Sequence, residues 1–348
     1  MIARIPLPIQ TVYADLVDRC SIATFEADFP VAGSFKKVPV KGRDYWYFQP
    51  SAADDTGKRQ QKYVGPDSED IRARIEQHGK VKDAYRERRE MVRALRRSGL
   101  PAPLDTTGEL IELLAKAGIF RLRACLVGTV AFQAYSGLLG IKLPGSSMQT
   151  SDLDLAQFHS VSLAIGQDEQ TAPVIEILRK ADPSFRSVPH EIDSRMHKAY
   201  VNDRTYRVEV LTPNRGPDRG RPVELPALQA HGQPLRFLDF LIYDAIPAVI
   251  LRGGGTLVNV PSPERYALHK LIVSQRRRRE GAAKIDKDLM QAEILLDVLA
   301  DSRKADLRDA WHELVARGPK WRQHVVDGIA AIDSAVRGKV AAIVKEEF

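Results

Sequence analysis

The chain has 348 residues, 44% hydrophobic and 28% charged, enough for two or three ordinary cores and inconsistent with global disorder. Its two cysteines, Cys20 and Cys125, exclude a disulfide scaffold and a cysteine-built zinc cluster. The net charge is +7, and Ile71 to Arg97 alone holds ten basic and four acidic side chains, nearly the whole surplus. A local field of that sign attracts polyanions such as nucleic acid or nucleotides. The competing reading is a solvated helix face with internal ion pairs.

No apolar run reaches the roughly 18 residues of a spanning helix. The opening MIARIPLPIQTVYADL lacks the continuous apolar stretch of a secretory leader. A cytoplasmic protein without membrane association is expected.

In chain order, Ile9, Val12, Tyr13, Leu16, Val17 and Cys20 recur at helical spacing, which predicts an amphipathic helix. GSFKKVPVKGRDYWYFQPS and RQQKYVGPDSE predict a small antiparallel sheet, with a loop near Asp54 to Gly57. One basic helix is expected from Ile71 to Arg97. SGLPAPLD, with two prolines and a glycine, predicts a boundary near residue 103. A helix then starts near Thr107, with Thr106 or Thr107 as its cap. RLRACLVG reads as a buried strand, TVAFQAYSGLLG as a helix, SDLDLA as a strand, TAPVIEILRKA as a helix and TYRVEVLTP as a strand. PAVILRGGGTLVNVP reads as a hairpin turning at Gly253 to Gly255. From Ser262 the chain reads as helical to its end, beginning with a proline in the first helical turn. The expected fold is α+β: an N-terminal region with a helix, a small sheet and a basic helix over 1–103, a mixed-sheet domain over 104–261, and a C-terminal helical domain over 262–348.

Chemistry concentrates in three places. Asp152 and Asp154 lie two apart on a strand, so both carboxylates project from one face while Leu153 and Leu155 point inward. Two like charges side by side call for a cation, and hard cations such as Mg²⁺ prefer oxygen ligands. Gly128-Thr129 sits at a strand-to-helix junction, where free backbone N–H groups suit phosphate oxygens. The alternative there is a turn with Thr129 as an ordinary cap. Glu209, in RVEVL, becomes a third carboxylate if its strand lies beside the aspartate strand; otherwise it is a surface residue paired with Arg207.

The order of these parts resembles the active-site pattern of the nucleotidyltransferase superfamily, whose fold is the DNA polymerase β palm. The matching residues are Val127-Gly128-Thr129, Asp152-Leu153-Asp154 and Glu209, with Thr129 in place of the usual serine. Outside this core the chain is similar to a bacterial family of nucleotidyltransferases through TVYADLV, GSFKKVPVKGRDYWYFQP, QQKYVGP, NVPSPERYALHKLIVSQRRR and KIDKDLMQAEILL. The resemblance implies transfer of a nucleoside monophosphate from an NTP to a hydroxyl acceptor, with release of pyrophosphate. It implies Mg²⁺ or Mn²⁺ held by Asp152, Asp154 and Glu209, and nucleotide phosphates positioned by Gly128, Thr129 and Lys270. The resemblance names no acceptor. RNA is favoured by the basic helix and by the aromatic run Tyr45, Trp46, Tyr47 and Phe48; a protein or small-molecule acceptor, including a toxin-like role, is the other possibility. A rival reading is a non-enzymatic nucleic-acid-binding protein with a relic palm. His269, next to Lys270, is expected to be structural.

Overall fold

The computed structural model describes residues 2–28, 33–40, 43–50, 61–78, 84–145, 148, 150, 152–191, 193–214, 216–217, 220–277 and 281–346. The loop expected near Asp54 to Gly57 lies outside the described residues.

Helix α1 (Leu7–Asp28) comes first, followed by strands β1 (Gly33–Val40), β2 (Arg43–Pro50) and β3 (Lys62–Pro66), an antiparallel sheet in that order. Its two faces differ. Phe35 pairs with Phe48, and both pack with Val64 and Ile75 into a small core. Tyr47 pairs with Tyr63, and the rings of Tyr45 and Tyr47 meet Tyr63 on the other face. The aromatic run is therefore split by strand alternation.

The expected single basic helix is two helices, α2 (Glu69–Gln77) and α3 (Ala84–Arg97). Ser68 caps α2 by accepting from the Ile71 N–H. α3 buries Val92 and Leu95 against Tyr13, Leu16 and Cys20 of α1, while Tyr85 stays largely exposed. α1 in turn lies on the central domain. The Tyr13 ring fills the space where a Cβ at position 137 would sit 2.3 Å away, and its hydroxyl donates to the Val249 carbonyl at 3.3 Å and accepts from the Val249 N–H at 3.1 Å.

The central domain runs through α4 (Asp105–Lys116), β4 (Cys125–Val127), α5 (Gly128–Leu139), β5 (Asp152–Ala156), α6 (His159–Ala164), α7 (Val174–Ala181), β6 (Arg186–Pro189), β7 (His197–Val201) and β8 (Arg207–Pro213). It continues with β9 (Val223–Leu225), β10 (Ala230–Leu235), α8 (Leu238–Ile242), β11 (Ala245–Ile250) and β12 (Thr256–Pro261). The main sheet is mixed, in the order β4-β5-β8-β10-β9, with β7 and then β6 branching from β8. β5 and β8 are parallel, whereas β4 is antiparallel to β5. The β11–β12 hairpin is pinned below β4 by Asn259, whose Nδ2 donates to the Phe120 and Ala124 carbonyls. The cap expected at Thr106 or Thr107 is instead Leu104, and Thr107 is buried within the first turn of α4.

Helices α9 (Pro263–Arg276), α10 (Ala282–Ser302), α11 (Lys304–Ala316), α12 (Pro319–Ala330) and α13 (Ser334–Val344) complete an α+β fold. One continuous apolar core joins Leu153, Leu155, Val208 and Val210 of the sheet to Leu268, Leu271, Leu295 and Trp311 of these helices. Burial of these side chains, each contributing about 1.5–3 kcal/mol, fixes the helices over the sheet. None of the described helices is long and apolar enough to cross a membrane.

Candidate active site

Strand register builds the site. Val127 lies opposite Asp154 across β4–β5, and Asp154 lies opposite Glu209 across β5–β8. Register partners share a face, so Asp152, Asp154 and Glu209 project from the same side of the sheet. Leu153 and Leu155 face the core, both fully buried. Asp152 also lies opposite Arg207, which puts a guanidinium on the acid face.

Gly128 opens α5 immediately beside Asp154. Its φ is +67°, and a Cβ there would stand 2.3 Å from Asp154 Oδ2. Both facts demand glycine: the left-handed conformation, and the close approach of the carboxylate. The residue preceding α5 is Val127, which offers no side-chain cap. Thr129 is thus inside the first turn and is not its cap. Among the described residues its hydroxyl makes no hydrogen bond.

Electrostatics on the acid face are unbalanced. Asp154 makes no hydrogen bond to a described residue, and its carboxyl is pushed up to about 7 by burial, then by Glu209 and Asp152, with Lys270 and Arg277 opposing. Glu209 is held by the Arg207 guanidinium in an ion pair. Among the described residues no three His, Cys, Asp or Glu side chains converge into a ready-made metal cluster. The donor set nonetheless fits a hard divalent cation. It is all oxygen, and among the described residues Asp152 and Asp154 make no salt bridge.

The helical layer supplies the opposing wall. Tyr266 on α9 donates from its hydroxyl, which lies 2.9 Å from the Gly128 carbonyl and 2.9 Å from Gln291 Oε1 on α10. One turn further along α9, Lys270 is buried rather than on the helix surface. Its ammonium pairs with buried Asp288, which Arg277 Nε also approaches at 2.8 Å. Lys287 adds charge near Asp152 and has its pKa lowered, first by burial and then by Lys270. His269 is driven down to about 3 by burial and the neighbouring cations, so it is neutral at pH 7. Tyr206, just before β8, donates to or accepts from Thr107 Oγ1 at 2.8 Å and is raised to about 12 by burial, with Asp152 and Asp154 nearby.

The sequence reading thus located the acids and the Gly-Thr turn, which the fold brings to one sheet end. Arg207 was anticipated as the pairing partner of Glu209; Tyr206, Tyr266, Lys287 and Asp288 were missed. These missed residues meet the site through packing between distant segments.

A family described as Nucleotidyltransferase matches residues 105–316, well over half of the chain. No curated protein and no solved structure gives a significant match. The chain belongs to this nucleotidyltransferase family.

Proposed function

We propose that the protein transfers a nucleoside monophosphate from an NTP to a hydroxyl acceptor, with Asp152, Asp154 and Glu209 as the catalytic carboxylates. The observation that carries this is the register Val127–Asp154–Glu209, which sets two strands' acids beside the glycine turn that opens α5. Mg²⁺ or Mn²⁺ bound by these carboxylates would supply positive charge to the triphosphate oxygens. The chain's own residues do the rest. The Gly128 and Thr129 N–H groups and the Thr129 hydroxyl orient phosphate oxygens at the start of α5. Lys270, Arg277 and Lys287 place positive charge along the same wall. Glu209 takes the acceptor's hydroxyl proton. The acceptor oxygen then bonds to the α-phosphorus as the bond to pyrophosphate breaks, and pyrophosphate leaves with its electron pair.

The test is incubation with each α-labelled NTP and Mg²⁺ in a cell lysate. Label should pass to one class of molecule, and Asp152→Asn with Asp154→Asn should abolish it. Asp154→Asn should also raise the melting temperature of the metal-free protein, because a buried like-charge neighbour is removed. Absence of transfer with every NTP, together with unchanged melting, would overturn the proposal. The rival relic-palm reading draws on Glu209 and Lys270 both being held in internal ion pairs. It predicts nucleic-acid binding that Asp152→Ala leaves intact, with no turnover in the parent protein.

A further inference from the structure

Between the segment preceding α4, α5 and the residues Gly145, Met148 and Thr150 lies a cleft of about 670 Å³. Its walls include Pro101, Pro103, Leu104, Val130 and Met148, and none of the described lining residues is charged. Two of its lining residues hydrogen-bond to residues beside the acid face. Thr150 lines it and accepts through Oγ1 from the Asp152 N–H at 3.2 Å. Thr107 lines it and bonds to Tyr206, the neighbour of Arg207. Gln133 also lines it. Its Nε2 donates to the Met148 carbonyl, while its buried Oε1 has no hydrogen-bond partner. An uncharged, mostly apolar slot of this size with one unused acceptor suits a nucleoside and rejects a triphosphate.

Two groups of cations lie on different elements near the residues that line the slot or adjoin it in sequence. Lys270, Arg277 and Lys287 belong to α9, α10 and the turn between them, and act on the carboxylates. Arg96 and Arg97 end α3, four or five residues before Pro101, and both are exposed. Exposed Lys142 has its Nζ within about 4 Å of the Cβ position of Gly99. Among the described residues Arg96, Arg97 and Lys142 make no ion pair. A mononucleotide with its triphosphate at the first group has no further phosphates for the second. A polynucleotide whose last nucleoside fills the slot does have them.

We infer that the acceptor is the 3′ end of a single-stranded nucleic acid, with its terminal nucleoside in this cleft and its preceding phosphates along Arg96, Arg97 and Lys142. This rests on the nucleotidyl-transfer reading of the carboxylates. The terminal hydroxyl then faces the acid face as the attacking oxygen, with its proton passing to Glu209.

The test separates acceptor binding from transfer. A 5′-labelled single-stranded RNA is titrated against the full chain without NTP or metal, at low and high salt, by fluorescence anisotropy. Position 145 lines the cleft and is open, with nothing within 4 Å of an added Cβ, so Gly145→Trp adds bulk at the cleft wall without a clash at its Cβ. This variant should weaken RNA binding by roughly tenfold or more, as loss of a base contact does. Arg96→Glu with Arg97→Glu should weaken it and flatten its salt dependence. A circular RNA, lacking an end, should bind the parent no better than linear RNA binds Gly145→Trp. No RNA binding at low salt overturns the inference, as does equal affinity for polyglutamate or weakening by Gly145→Trp of NTP affinity in place of RNA affinity. Calorimetry with Mg²⁺ and NTP distinguishes the two levels. NTP binding without RNA binding removes the acceptor alone, whereas absence of NTP binding removes the transfer reading beneath it.

Discussion

Gly128 and Asp154 are packed so closely that a single methyl group on the first would stand 2.3 Å from a carboxylate oxygen of the second. The glycine also holds φ at +67°. A side chain in that left-handed region costs about 1–2 kcal/mol before any clash is relieved. Gly128→Ala should therefore lower unfolding free energy by at least that amount and push the Asp154 carboxylate away from the α5 turn. Denaturant melts should show the loss. Nucleotide affinity should fall further than stability alone explains, because the turn and the acid move together. A melt indistinguishable from the parent would show that the turn tolerates a side chain.

Arg207 is the residue whose removal should make the acid face bind cations more tightly. Its guanidinium neutralises Glu209 and lies in register with Asp152. Arg207→Met keeps the aliphatic stem and deletes the charge. Mn²⁺ affinity without nucleotide, read by electron paramagnetic resonance, should rise severalfold, since an oxygen donor is released and repulsion lost. If Arg207 also contacts phosphates, NTP affinity should fall in the same variant. Unchanged Mn²⁺ affinity would mean that the ion pair does not compete with metal.

How much of this was legible before the fold was known follows from the range of each interaction. Asp152, Asp154 and the Gly128-Thr129 turn are local patterns: a period of two and a break between strand and helix. Glu209 needed one long-range fact, the parallel pairing of β5 with β8. The branching of β7 and β6 from β8 was not read at all, because HKAYV and RSVP are short and carry no clean alternation. Lys270 entered only through the family resemblance, as a phosphate ligand. Its burial depends on Asp288, eighteen residues later on another helix, and no periodicity announces that pairing. The basic stretch was read as one helix because charge does not mark where a helix ends.

Lys270 consequently should contribute to stability as well as to nucleotide binding. Orphaning a buried charge costs about 3–5 kcal/mol. Lys270→Ala should cost less, because Arg277 still reaches Asp288. Lys270→Ala with Asp288→Ala should recover part of that loss, since no carboxylate is then left buried. A double-mutant cycle by chemical denaturation, with NTP affinity measured in parallel, separates the two roles. Full additivity would show that the pair contributes nothing as a pair.

The last prediction concerns pH. His197 on β7 and His231 on β10 meet with Nδ1 atoms 2.8 Å apart, and His197 Nε2 lies 2.6 Å from the Tyr200 hydroxyl and 3.4 Å from the His231 N–H. One hydrogen pattern satisfies all three contacts. His197 donates from Nδ1 to His231, and its Nε2 accepts from Tyr200 and from the backbone. Protonating Nε2 destroys both accepted bonds, and burial and His231 together drive His197 down to about 4 from an ordinary 6.5. His231 is lowered as well, mainly by burial, with Glu224 and Asp193 opposing. The unfolded chain thus binds a proton between pH 6.5 and about 4 that the folded chain refuses, so stability falls as pH drops through that window. Asp154, raised to about 7, contributes the opposite slope, because the folded state takes up a proton there first. The two are separated by comparing variants in an Asp154→Asn background. There the melting temperature should decline steadily from pH 6.5 to 4, and His197→Gln should make that decline shallower while lowering the melting temperature at pH 8, the remaining slope coming from His269, which is also lowered. A decline of equal steepness with and without His197 would assign the acid sensitivity elsewhere.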